Sequence, residues 1–397
     1  MTSEQKRVRY EQNWKMWSEP YDGGECMKKN RIIAIDVMRG LSLLGMMLVN
    51  LNPDEGLSFR ALVHTEWFGI SLADVFFPCF MFLTGVSAAV NAQKKIFGEN
   101  WLNNAVKRGI ILILIGMAYN HLPCVWSLLL NSGYGLNEFF RDVTLYFRPF
   151  GVLQRIGFAY IFGVLIYHFA KTERKTAVAA FGILAITTVG FFAYDFAEPF
   201  SESDNISIFF DQILQGSNHN YLQKVFDPEG LYGNITAIAS VLFGMIAGTW
   251  LKDRKPMTLV SVGCILSLIG WFTSSFVIVS KPLWTAPYVL ILSGCFMIVL
   301  SALDSVISSR KNAEKWLKLP AVLGAHSMLT YLVSGNMEAV LNSVKVGDTN
   351  LYHFLWEGTI YSEKMVSLTC FFCSLIAAAL VCAIVCLSVR IFQKQKA

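Results

Sequence analysis

Residues 31–91 read RIIAIDVMRGLSLLGMMLVN (31–50), LNPDEGLSFRALVHTEWFGIS (51–71) and LADVFFPCFMFLTGVSAAVN (72–91). An apolar segment, a short polar loop and a second apolar segment follow one another, and each apolar segment has about the 20 residues that an α-helix needs to cross a bilayer core. The loop between them carries His64, with Arg60, Glu66 and Trp67 close by in sequence. A titratable imidazole pinned between two membrane helices is the best chemical candidate in the chain.

The same alternation continues along all 397 residues, of which 54% are hydrophobic and only 15% charged, whereas charged residues approach about a quarter of an ordinary soluble domain. The expected fold is an all-α polytopic membrane protein of about ten spans, roughly 32–50, 72–93, 109–130, 150–169, 176–196, 232–251, 257–279, 284–307, 320–342 and 365–389. If the N-terminus is cytoplasmic, the segments on that side hold 24 of the 33 Lys and Arg residues, an excess that places both termini in the cytoplasm. Position thus explains the net charge of +5, and no nucleic-acid partner is implied. The expected organisation is a cytoplasmic tail over 1–30, one transmembrane domain over 31–392 and a short cytoplasmic tail over 393–397.

Several polar residues fall where hydrocarbon would penalise them. An ion at the membrane centre costs roughly 2.5 to 3.5 kcal/mol on insertion scales, so such groups pair or face a wet cavity. Asp36 and Arg39 lie three apart on one helical face, where they form an internal salt bridge or hold an anionic ligand. Asp74 opens the second span and precedes Pro78, a residue that membrane helices tolerate when neighbours satisfy the freed carbonyl. Arg155 sits inside an apolar run and needs a partner, with Asp74 or Asp36 the obvious choices. Asp227 and Glu229 precede the sixth span, where carboxylates either cap a helix N-terminus or grip an acceptor. Trp284 reads most simply as an interface-belt tryptophan.

The nine cysteines give no disulfide framework, and no spacing suggests a metal site. Phosphate-binding loops, nucleophile elbows and dinucleotide fingerprints are absent from the sequence.

Four stretches together, IDVMRGLSLLGMMLVN, HTEWFGISLADVFFPCFMFLTGVS, RPFGVLQRIGFAY and FDPEGLYGNITAIASVLFGMIAG, resemble the heparan-α-glucosaminide N-acetyltransferase family and its bacterial relatives among the transmembrane acyltransferases. A weaker match is PLWTAPYVL. The resemblance implies transfer of an acetyl group from cytoplasmic acetyl-CoA to an amino sugar, or a sugar hydroxyl, across the membrane. It also implies a homodimer, and residence in a bacterial inner membrane fits a chain of this kind. By the same resemblance His64 matches the catalytic histidine and Asn50 a further site residue. The chain departs from the family pattern at His326, where the family usually carries asparagine, and in a longer spacing from Asn50 to His64.

Elementary chemistry suits these roles. An amine or hydroxyl attacking a thioester needs a base, and imidazole titrates in the useful range; His64 is that base or a nucleophile that first accepts the acetyl group. Asn50 can donate to the developing oxyanion, and Asp74 can orient the imidazole. Asp36, Arg39, Gln154 and Arg155 are the candidates for holding the CoA donor, and Trp67, Asp227, Glu229 and Trp284 those for the acceptor. The competing class is a transporter or channel for a sugar or small acid, because buried ions equally line substrate paths.

Overall fold

The computed structural model describes residues 32–93, 100–131, 133–309 and 316–394; the tail expected over 1–30 lies outside them. In chain order the helices are α1 (Ile33–Asn50), α2 (Ala73–Gln93), α3 (Trp101–Tyr119), α4 (Leu122–Leu130), α5 (Leu136–Leu145), α6 (Val152–Ala170), α7 (Glu173–Tyr194), α8 (Ile206–Leu214), α9 (Leu231–Lys252), α10 (Pro256–Thr273), α11 (Ala286–Ser309), α12 (Lys318–Ala325), α13 (Ser327–Ser343), α14 (Leu351–Thr359) and α15 (Val366–Lys394). A two-stranded hairpin pairs Lys345–Val346 with Thr349–Asn350. Among the described residues nine helical stretches are long and apolar enough to cross a membrane, and the chain is an all-α polytopic membrane protein.

The ninth expected span, 320–342, is not one helix. It breaks at His326, whose φ of −111° and ψ of 40° leave the helical region, giving α12 and α13. A break at membrane depth is tolerated only where the released carbonyls find donors. Here Val322 O keeps its helical bond from His326 N at 3.1 Å, and Leu323 O accepts from the Thr330 hydroxyl at 3.1 Å.

The core is built around α9, which is buried along nearly its whole length and packs against α2, α6, α7 and α11. Close approach to α2 depends on glycine: a Cβ on Gly85 would collide with the Val241 carbonyl, and one on Gly244 with the Phe82 carbonyl. Away from this core, Ile186 on α7 and Trp271 on α10 are more than two-thirds exposed, as expected of apolar faces meeting lipid.

Pro78 inside α2 has no N–H to give to the carbonyl four residues back, which belongs to Asp74. The Tyr288 hydroxyl of α11 donates to that carbonyl at 2.7 Å. The proline therefore ties the start of α2 to α11 without leaving a buried acceptor unmet.

Trp284 corrects the interface-belt expectation. It is 0% exposed, adopts a left-handed φ of +53°, donates from Nε1 to Ser240 Oγ at 3.2 Å and packs edge-to-face on Phe77 and Tyr288. The turn before it, held by Thr285 Oγ1 donating to Ile278 O at 2.8 Å, folds the indole inward rather than toward headgroups.

Candidate active site

Asp74 organises the loop above it. Its Oδ2 accepts from Ser71 N at 3.0 Å and Ser71 Oγ at 2.9 Å, just ahead of the start of α2. The same oxygen accepts from Thr65 N at 3.2 Å and Thr65 Oγ1 at 2.9 Å. The remaining oxygen, Oδ1, lies 2.8 Å from His64 Nδ1. A fully buried carboxylate with every lone pair engaged fixes the ring, and a proton on Nδ1 leaves the Nε2 lone pair free. The imidazole is 40% exposed beside its 0% exposed partner.

The loop is also anchored from across the molecule. Gly69, at a φ of +94°, donates its N–H to Val279 O at 2.8 Å, and the neighbouring turn brings Lys281 to the site. Lys281 Nζ lies 3.3 Å from Asp74 Oδ1, 2.8 Å from His64 Nδ1 and 3.3 Å from His64 Nε2.

Trp67 is buried beside this loop, donating from Nε1 to Phe200 O at 2.9 Å and stacking edge-to-face on Phe226. That contact leads directly to Asp227, which corrects the capping expectation for the sixth span. Gly230 sits at the N-cap of α9 without a side-chain cap; Asp227 accepts from Glu229 N ahead of the helix, and both carboxylates bind Arg148. Arg148 donates from Nε and Nη2 to Asp227 at 2.9 and 2.6 Å, binds Glu229 through Nη2 and lies over the Tyr221 ring. Burial opposes the guanidinium charge, but Asp227 and Glu229 outweigh it and raise its pKa. Burial likewise works against the Glu229 carboxylate, yet Arg148 and Arg155 hold it below its ordinary range.

Arg155 does not pair with Asp74 or Asp36. It is 1% exposed, donates from Nε to Asn234 Oδ1 at 2.6 Å and lies 4.7 Å from the Trp284 ring centroid, a cation over an aromatic face. Asn234 is one residue beyond the glycine that gives the guanidinium room, so a side chain at Gly233 would strike Arg155.

Below Asp74 a cavity of ≈ 460 Å³ runs between α1, α2, α3, α6 and α13. One end is lined by Asp36, Arg39, Ser87, Asn91 and Arg108; apolar walls of Met46, Phe77, Phe80 and Ile156 lead to the other. From Asn91 to Phe77 the helix rises about 21 Å at ~1.5 Å per residue. Phe77 is one turn from Asp74 and touches Trp284, so the cavity ends beneath the histidine loop. Arg39 pairs with Asp36 at 3.6 Å, donates to Gly324 O at 3.3 Å and bonds Ser87 Oγ.

The remaining expected residues are not gathered here. Gln154 is buried where α6 packs on Gly116 of α3, away from the cavity wall, and its amide atoms have no partner. Asn50 is exposed at the end of α1, and no hydrogen bond among the described residues joins it to His64. Conversely Arg148, Lys281 and Tyr288 were not singled out from the sequence. The signal for the two cations was their place: each lies on the side that charge counting leaves poor in Lys and Arg, and each adjoins a proline.

The acyltransferase domain family matches residues 32–388. Heparan-alpha-glucosaminide N-acetyltransferase of Mus musculus is 26% identical over 366 residues, covering 76% of this chain and 53% of the relative. The Homo sapiens protein of the same name is 24% identical over 365 residues, covering 76% and 52%. The chain thus spans about half the length of these curated relatives.

Proposed function

We propose, from the premise that the chain belongs to the acyltransferase domain family, that it is a membrane N-acetyltransferase moving an acetyl group from cytoplasmic acetyl-CoA to an amino sugar on the opposite side. The observation that carries this reading is a membrane-deep cavity with Arg39 and Arg108 at one end and Phe77 towards the other, one helical turn from Asp74 of the His64–Asp74 pair. In it, both termini and the Arg39 end are cytoplasmic, and residues 31–392 act as one transmembrane domain in a cytoplasmic membrane. The cavity suits the donor's chemistry. Cations and amide groups at the mouth match phosphates, and the long apolar passage matches a flexible arm whose thioester is to be delivered far from them.

The acceptor nitrogen attacks the thioester carbonyl from the His64 side. His64 Nε2 takes the proton that nitrogen sheds, Asp74 at Nδ1 stabilises the resulting imidazolium, and the departing thiolate recovers the proton as the tetrahedral intermediate collapses. Amine acetylation, rather than hydroxyl acetylation, is favoured because the two relatives are named N-acetyltransferases. Trp67 and the Arg148–Asp227–Glu229 group shape the loop that the acceptor meets.

The test is radiolabelled acetyl transfer to glucosamine-containing acceptors alongside CoA binding, with wild type and His64→Ala. A surface-loop change should leave the protein stable and CoA bound, while transfer falls by roughly 10²- to 10⁴-fold. Unchanged transfer in His64→Ala would remove the residue from the reaction. Uptake of a sugar without acetylation would instead establish the transporter reading.

A further inference from the structure

A carboxylate beside an imidazole favours its charged form, and an imidazolium cannot accept the proton that acyl transfer must remove. His64 faces such a carboxylate at 2.8 Å. It also faces a cation: Lys281 Nζ approaches both ring nitrogens, at 2.8 and 3.3 Å. A nitrogen nearly equidistant from Nδ1 and Nε2 cannot lie in the ring plane, because the Cε1–H edge stands between them. The ammonium therefore sits toward the ring face. There it does not compete with Asp74 for the Nδ1 proton, and it does not occupy the in-plane lone pair of Nε2. Asp74 Oδ1 holds it in place at 3.3 Å.

We infer that Lys281 is a positioning residue for the reaction: its ammonium, held over the His64 ring by Asp74, sets a positive charge against the charging of the imidazole while leaving Nδ1 to Asp74 and the in-plane side of Nε2 open to the acceptor. The inference rests on the acyl-transfer reading of His64. The charged groups around the pair come from three elements. Asp74 lies in the first turn of α2, Glu229 precedes α9 and Arg155 belongs to α6, and all three act electrostatically on Lys281. Among the described residues no other ion pair reaches His64. Burial lowers the pKa of Lys281 from its ordinary value, while Asp74 and Glu229 act to keep it charged.

This arrangement separates two properties that a lone His–Asp pair couples. Asp74 can orient the ring and stabilise the imidazolium once it forms, while the Lys281 ammonium opposes that charge from the ring face. The turn that carries Lys281 is fixed to the histidine loop through Gly69 N–H and Val279 O, so the cation and the ring move together.

The experiment is a pH titration of the His64 ring by NMR in full-length protein carrying 13C-labelled histidine, with the His64 signal assigned by its loss in His64→Ala. Wild type is compared with Lys281→Met and Lys281→Arg, and the acid limb of kcat/KM is followed in parallel. In Lys281→Met the ring should titrate at higher pH than in wild type, and the acid limb should move in the same direction. Lys281→Arg, which keeps the charge, should restore both toward wild type. An unshifted ring in Lys281→Met, or an equal shift in Lys281→Arg, would overturn the inference. The ring titration is read without catalysis, so it stands apart from the activity of His64→Ala, which decides the acyl-transfer reading itself.

Discussion

At the scale of single residues, the legible part of the site is the part written locally. His64 and Asp74 are ten residues apart on either side of one loop, and their chemistry suggests their contact. Arg155 was misassigned because burial guarantees a partner but not a carboxylate; a neutral amide and an indole face serve it. Asp211 is another residue whose environment is set from a distance. One oxygen accepts from Asp227 N at 2.9 Å, the other has no partner, and burial pushes its pKa from 3.8 to about 7. Between those values the folded protein holds a proton that the unfolded chain has released, so this residue contributes less stability as pH rises through that window. The apparent melting temperature of wild type should accordingly lose more between pH 5.5 and pH 8 than that of Asp211→Asn, measured in the same detergent. Equal losses would show that Asp211 is already ionised at pH 5.5.

At the scale of elements, hydropathy located the spans but not their interruptions. The break at His326 was invisible because α12 and α13 are both apolar, and a donor that permits it is the Thr330 hydroxyl of α13, which reaches back to Leu323 O of α12. The start of α2 offers a sharper test, since the carbonyl that Pro78 leaves free is the one Tyr288 serves. Tyr288→Phe leaves Asp74 O unmet and should cost about 1–3 kcal/mol, seen as a lower unfolding temperature. Pro78→Ala restores a helical N–H able to reach that oxygen, so Tyr288→Phe should cost distinctly less in the Pro78→Ala background. Additive losses in the double variant would mean that the tyrosine acts through packing alone. Gly244→Leu should prevent α9 from approaching α2, with loss of folded protein judged by detergent size exclusion.

At the scale of the whole molecule, the distribution of Lys and Arg predicts sidedness independently of the helices' geometry. A cysteine introduced at Asn218, in a cysteine-depleted background, should react with an impermeant reagent applied from outside, whereas one at Asn100 should react only after permeabilisation. The reverse pattern would invert the topology and with it the direction of transfer. The chain also assembles its site from distant parts: Tyr288 reaches back to Asp74 across 214 positions, and Lys281 to His64 across 217. Ribosomes extend a chain at roughly 5–20 residues per second, so about 10–45 seconds separate the synthesis of the histidine from that of its lysine. During that interval the first helices are already entering the membrane with the loop unanchored and the Asp74 carbonyl without its tyrosine. A nascent or truncated chain that stops before Lys281 therefore carries His64 and Asp74 without the lysine and the tyrosine that meet them, and the site is completed late, as a property of a nearly finished polypeptide.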